Sequence, residues 1–501
     1  MYEPVDGSAI DGGAVRVERM RRAGRRIERL RIGTGVLLAL ALVLVLALGC
    51  AGSGKKKDRP RKTVLLTSAD DVRVGAEAAR SVEVEMGLLD DPELTAYVEA
   101  IGRKLLRGLD RREFAYRFSI VDQMEPNAFA LPGGHIYVSR GLLALVNDED
   151  ELACVLGHEI VHVARRHSAQ QQAVARHQSP LSLPMSRAAT LAAYGRDMER
   201  EADALGQRLC AAAGYDPMGM STFLRSLDQR ERLLIGRPRR PTFLDTHPGS
   251  RERASVNSAR AGELRWTRDP SLGDVRAAHL DRIDGMVIGD RPETGVFVGE
   301  AFLHPAADFE MQFPRGWILQ NSNAAVGAMA PRREAVVYLS ADLPAGDVVE
   351  VADDWAAKAE EESGVRLTEK RRVRIGRIDG VRYGFEGGGI SAKVSFFPYG
   401  GGTWRIVGVA PHAAADRYFG PILLSMRSFR PLSDENRALI HSDRLRIVLA
   451  RQGEDVVSLG SRTQNTLNPS ATALLNGLLG NEVFEGGELI KIIRREDLAS
   501  S

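Results

Sequence analysis

The stretch that settles the reading of this chain is Asp148-Glu149-Asp150-Glu151-Leu152-Ala153-Cys154-Val155-Leu156-Gly157-His158-Glu159-Ile160-Val161-His162. Asp148 is expected to cap a helix, and Glu151 stands three residues on, at capping-box spacing. The helix is expected to run through His167. On it His158 and His162 are four residues apart, so both imidazoles share one face and can reach one metal ion. Neutral imidazole suits Zn²⁺, and a catalytic zinc needs a third protein ligand and an open position for water. Glu159, beside the first histidine, can reach that water as general base. Such a pair also occurs on solvated helix faces. Here Cys154, Val155, Leu156, Ile160, Val161 and Val163 make the helix largely apolar, and buried imidazoles want partners.

The third ligand has to come from downstream. Ser186–Ala213 reads as a second long helix, stopped by Gly214 and Pro217. It carries Glu199-Arg200-Glu201-Ala202-Asp203. Glu199 and Asp203 again share a face: one carboxylate to ligate, one to accept the second N–H of a ligand imidazole. The alternative for Glu199 is an ordinary surface acid. Glu201 points about 160° from Asp203 and is expected in solvent. His167 lies nine residues past His158, opposite in azimuth. His177, His279, His304, His412 and His441 show no ligand spacing, and His135 takes a bland reading too.

Taken together, four segments resemble the zinc metallopeptidase family numbered forty-eight, the HtpX/BepA-type gluzincin peptidases. They are Asn127-Ala128-Phe129-Ala130-Leu131-Pro132-Gly133-Gly134 leading into Ile136-Tyr137-Val138 and Gly141-Leu142-Leu143; Glu151–His167; Glu199–Asp203; and Thr246-His247-Pro248 with Arg253. The resemblance covers about residues 70–260. It implies one zinc per chain at His158, His162 and Glu199, with Glu159 as catalytic base and Asp203 behind a ligand histidine. It implies that Gly134, Ile136 and Val138 lie on an edge strand beside the cleft, where an extended substrate pairs through its backbone. It also implies a role for His247 as a fourth ligand that closes the zinc to water, an inhibitory switch, with Arg253 as an oxyanion or structural group. The alternative for His247 is a loop histidine with no metal contact. Gln170–Pro184, between the two ligand helices, is a candidate lid.

The N-terminus reads as an address. Residues 1–31 carry eight Arg and five acids, and Val36–Leu48 is an unbroken apolar run followed by Gly49-Cys50-Ala51. A charged segment, a short apolar core and small residues describe a secretory signal. Cys50 at the junction resembles the lipidated first residue of a bacterial lipoprotein, although Ala47 stands where Leu is usual. The expectation is a signal peptide over 1–49 and a tether over 50–65. An uncleaved helix over Ile32–Gly49 is the other reading, marginal in length for a span.

Charge follows the same division. The 501 residues hold 68 basic and 66 acidic side chains, a net +2. Removing 1–49 takes away eight and five of these and leaves 60 against 61. A near-neutral remainder excludes the nucleic-acid reading, which wants a basic domain or stripe. Three cysteines in the whole chain exclude a disulfide framework.

The expected architecture is multidomain α+β. A mainly helical zincin (gluzincin) domain spans 66–265 and a linker 266–290. A middle α+β domain spans 291–432, weakly similar to PsbP-like domains. A small unit at 440–497 resembles a β-α-α-β LysM module on Gln452-Gly453-Glu454-Asp455, Leu474-Leu475-Asn476-Gly477-Leu478 and Glu485-Gly486-Gly487-Glu488-Leu489-Ile490. Asp455 stands where that motif has Thr, and a module that has lost glycan binding stays open beside one that binds peptidoglycan. The resemblances together imply a lipid-anchored zinc endopeptidase facing the periplasm, on the outer membrane rather than the inner. Its substrates would be unfolded or misassembled envelope proteins. The rival reading is a non-catalytic envelope chaperone or peptidoglycan-binding scaffold.

Overall fold

A computed structural model describes residues 67–171, 184–233, 243, 247, 250–321, 325–480 and 482–497. The expected signal peptide, Cys50 and its tether lie outside the described residues, as does most of the candidate lid. Among the described residues no helix is long and apolar enough to cross a membrane. The chain divides into two compact units: 290–441 forms one, and the residues before it join 442–497 in the other.

The joined unit begins with α1 (Ser68–Glu85), capped by Thr67, and α2 (Pro92–Leu105), where Asp91 accepts from the Leu94 amide at 2.9 Å. A proline at the first helical position fits there because its missing N–H has no partner to lose. Leu94, Val98, Ile101 and Leu105 give α2 one buried face. Next come β1 (Arg117–Val121), β2 (Ala128–Leu131) and β3 (His135–Ser139). They form a sheet in the order β1-β3-β2, with β3 parallel to β1 and antiparallel to β2.

This corrects the edge-strand expectation. The strand beginning after Gly134 and carrying Ile136 and Val138 is the middle strand, paired on both sides. Its residues Ile136, Tyr137 and Val138 are all buried, as on a strand covered on both faces. Gly133 and Gly134 take positive φ (82° and 104°) and fold β2 back beside β3, so among the described residues β2, like β1, lies at an edge of this sheet.

The helix α3 (Arg140–Leu145) leads into α4 (Glu149–Ala164). Asp148 caps α4, accepting from the Glu151 amide at 2.9 Å. The Glu151 carboxylate reaches back one residue further than a capping box requires, to the Asn147 amide at 2.9 Å. The helix stops at Ala164, short of His167, because Arg166 turns left-handed (φ 54°) while its guanidinium binds Asp71. After α5 (Pro184–Ala212) the chain turns at Gly214 (φ 79°) into α6 (Gly219–Leu233) and then α7 (Ser250–Glu263).

Of the expected linker 266–290, residues 266–289 belong to this core. They hold α8 (Val275–Ile283) with His279, Leu280 and Ile283 buried, then β4 (Val287–Ile288). His279 lies 3.0 Å from the Tyr97 hydroxyl and 3.0 Å from the Leu143 carbonyl.

The unit at 290–441 is built on a seven-stranded sheet in the order β11-β12-β13-β14-β10-β9-β8. A four-stranded sheet, β15-β7-β6-β5, accompanies it. In chain order these strands are β5 (Val296–Val298), β6 (Ala301–His304), β7 (Phe309–Gln312), β8 (Ile318–Asn321), β9 (Val326–Met329) and β10 (Val336–Leu343); then β11 (Arg366–Ile375), β12 (Ile378–Gly387), β13 (Ile390–Tyr399), β14 (Gly402–Pro411) and β15 (Arg430–Pro431). Alternation separates two cores. Phe397, Ile406 and Ile375 pack under α10 (Ala415–Ser428), while Phe396, Val407 and Tyr383 pack under α9 (Val348–Ser363).

The C-terminal stretch has the expected order: β16 (His441–Leu449), α11 (Val456–Thr463), α12 (Pro469–Leu475) and β17 (Leu489–Asp497). It is not a free-standing module. Its sheet runs β17-β16-β4, taking its third strand from the residues after α8. Leu445 and Ile493 share one hydrophobic core with Leu143 and Leu280. The buried Lys491 donates to the carbonyls of Ala144, Leu145 and Val146 at 2.9, 3.1 and 2.9 Å, satisfying the open end of α3.

Candidate metal centre

The ligand helices meet at glycines. Gly157 on α4 faces Gly206 on α5, and a Cβ on Gly206 would sit 2.8 Å from the His158 amide nitrogen. Only bare backbones approach this closely. The approach carries His158 and His162 against Glu199 and Asp203.

Four side chains converge there: His158, His162, Glu199 and His247, with one ligand atom from each within 4.8 Å of the others. His158 Nε2 lies 3.0 Å from His162 Nε2, 3.4 Å from Glu199 Oε2 and 3.2 Å from His247 Nδ1. His162 Nε2 is 3.3 Å from Glu199 Oε1, and His247 Nδ1 is 3.0 Å from each Glu199 oxygen. Ligand atoms about 2.0–2.1 Å from a tetrahedral zinc stand roughly 3.3 Å apart. The cluster has that size, and its donor set of imidazoles and a carboxylate is the one zinc takes. The residues present fit the metal.

Behind the cluster, Asp203 Oδ1 lies 3.0 Å from His158 Nδ1, as expected of the carboxylate that orients a ligand imidazole. Helix α7 fixes Asp203 in turn. Arg253 Nε and Nη2 donate to its two oxygens at 2.8 and 2.6 Å, and Asn257 Nδ2 donates at 2.9 Å. Arg253 Nη1 also reaches Glu199 Oε2 at 2.9 Å and the His247 carbonyl at 3.1 Å. The guanidinium is thus spent on holding the site together. Burial pushes the Glu199 carboxyl up, but the imidazoles of His247, His158 and His162 outweigh it and hold the group well below the usual carboxylate range. For Asp203, burial is likewise outweighed, by Arg253 and His158.

Glu159 differs from both. It is 1% exposed, and its Oε1 has no hydrogen-bond partner among the described residues; His247 Nε2 is 3.5 Å away. Burial raises its pKa above the usual value, with His247 and His158 pulling the other way. His247 itself stacks on the buried ring of Phe243, centroids 4.2 Å apart.

Sequence reasoning left out two residues here. His167 is buried with Nδ1 2.9 Å from His162 Nδ1, and Glu201 lies 3.4 Å from its other nitrogen. No helical spacing signals this, because the left-handed Arg166 lies between.

The cluster is three imidazoles and a carboxylate, with a second buried carboxylate beside it whose Oε1 has no hydrogen-bond partner among the described residues. Residues 92–261 match the family model of Peptidase family M48. The chain is 29% identical to the beta-barrel assembly-enhancing protease of Yersinia pestis over 249 residues, 45% of this chain and 50% of that protein. It is 30% identical to the mitochondrial metalloendopeptidase OMA1 of Schizosaccharomyces pombe over 198 residues, 36% of this chain and 58% of that protein. It therefore spans about half the length of the curated relatives it matches. The solution structure of cyanobacterial PsbP from Synechocystis aligns with 29% of this chain and 98% of its own, at 11% identity and a TM-score of 0.24, too low to assign the middle unit.

Proposed function

We propose that the chain is a zinc-dependent endopeptidase of the bacterial envelope that cleaves unfolded or misassembled envelope proteins. The observation that carries this reading is the buried Oε1 of Glu159, without a hydrogen-bond partner among the described residues, beside the convergent ligand atoms of His158, His162 and Glu199. Those three residues would hold the zinc, which supplies Lewis-acid polarisation of a peptide carbonyl and activation of water. Glu159 takes the proton of the attacking water and passes it to the leaving amine. Asp203 and Arg253 hold the ligands in place, which supports the structural role for Arg253. Purified protein should contain zinc and cleave casein, and a chelator should abolish the cleavage. Zinc-loaded protein that leaves casein intact would instead favour the chaperone or scaffold reading.

Extended substrate would pair with β2. The Ser139 amide donates to the Asn127 carbonyl at 2.8 Å, so alternation along the β2–β3 ladder turns the N–H and C=O of Ala130 outward. An open backbone edge binds chains of many sequences, as a quality-control peptidase requires.

His247 would close the site. Its Nδ1 stands at ligand distance from Glu199 and His158, which supports a four-ligand resting state without a place for water. The gluzincin assignment rests on Glu199 as third ligand. The envelope location rests on the signal-like segment 1–49 and on Cys50 as lipid anchor, and membrane fractionation of a Cys50→Ser variant checks it. The β-α-α-β order of the C-terminal stretch supports a LysM-like unit with peptidoglycan as ligand, which sedimentation with purified peptidoglycan would test.

A further inference from the structure

The two ligand histidines are held from behind by different devices. His158 leans directly on the carboxylate of Asp203. Among the described residues no carboxylate lies at His162 Nδ1; the imidazole of His167 lies there, Nδ1 to Nδ1 at 2.9 Å. The other nitrogen of His167 lies 3.4 Å from Glu201 Oε2, and Arg165 Nε holds the second Glu201 oxygen at 3.0 Å. His167 is 2% exposed.

In a continuous helix His167 would stand about 140° around from His162 and could not meet it. The left-handed Arg166 breaks the helix between them, and Asp71 holds Arg166 there. The break turns His167 back onto the ligand. Glu201 points away from the ligand face of α5, so only a bridging side chain lets its charge act on His162.

We infer that His167 and Glu201 form a relay that positions His162 for the metal. One arrangement of protons satisfies both contacts of His167. Glu201 accepts from His167 Nε2–H; His167 Nδ1 is then an acceptor and takes the His162 Nδ1–H; His162 Nε2 is left with its lone pair facing the cluster. This fixes both ring orientation and tautomer of His162 before any metal arrives. The relay touches no substrate and acts only through His162, so His167 and Glu201 are positioning residues. The inference rests on the metal-site reading above.

Zinc affinity by chelator competition tests it, with melting of the zinc-free protein as control for folding. His167→Phe keeps a ring in the space but removes the acceptor, and zinc affinity should fall roughly 10- to 100-fold. His167→Gln offers an acceptor and a donor, and should stay within about fivefold of wild type. Glu201→Gln changes a side chain that is 44% exposed, leaves the interior alone, and should weaken zinc roughly threefold or more. Wild-type affinity in His167→Phe, or equal loss in the Phe and Gln variants, would mean that His167 only fills space. Should His167→Phe fail to fold, unchanged affinity in Glu201→Gln overturns the relay. A wild-type protein that binds no zinc would sink the metal-site reading itself, a result distinct from these.

Discussion

Gly206 of α5 lies so close to His158 of α4 that a single methyl group on it would sit 2.8 Å from the His158 amide nitrogen. The obstacle is backbone, which cannot rotate out of the way as a side chain can. Gly206→Ala should therefore push the two ligand helices apart, costing about 1–3 kcal/mol of stability and weakening zinc binding. Thermal melting and zinc titration check this; a variant matching wild type in both would show that the helices slide without cost.

The proposed substrate edge makes a backbone prediction. Ala130→Pro removes the outward N–H of β2 and leaves the β3 side of the ladder paired. Casein cleavage should fall about tenfold in kcat/KM while zinc content stays at the wild-type level. Unchanged cleavage would place the substrate elsewhere.

For His247 the expected outcome is a gain. If it occupies the fourth position at rest, His247→Ala should raise casein cleavage and self-cleavage several-fold. A variant no faster than wild type contradicts the switch and leaves His247 as a packing partner of Phe243.

Stability should fall on the acid side, and one contributor can be named. Burial pushes the His279 pKa down to about 3, with nearby Lys491 adding to the effect. The unfolded chain takes up a proton near 6.5 that the folded chain refuses, so stability present above pH 6.5 is lost as pH falls towards 3. The slope is about 1.4 kcal/mol per pH unit from this group. Zinc-free protein should melt lower at pH 5 than at pH 7, and His279→Gln should flatten that difference. A variant with the wild-type slope would assign the acid loss to other groups.

The sequence carried the chemistry further than the architecture. His158, Glu159, His162, Glu199 and Asp203 were legible because each ligand pair repeats at helical spacing, and the structure brings all five together. The edge-strand expectation rests on the family resemblance alone, and the apolar run Ile136-Tyr137-Val138 does not test it, because such a run looks the same whether one or both of its sides are paired. The azimuth of His167 sets it opposite His158 on an unbroken helix, and that argument fails once Arg166 turns left-handed. The embedding of 442–497 was invisible too. Nothing in the sequence around Lys491 points to the carbonyls of Ala144, Leu145 and Val146 that surround it.

Glu159→Gln tests the central claim most directly, because it keeps the shape of the side chain and removes only its ability to take a proton. Casein cleavage by the purified variant should fall by at least about 100-fold while zinc content equals that of wild type. Cleavage retained at the wild-type rate in zinc-loaded Glu159→Gln protein would contradict the account.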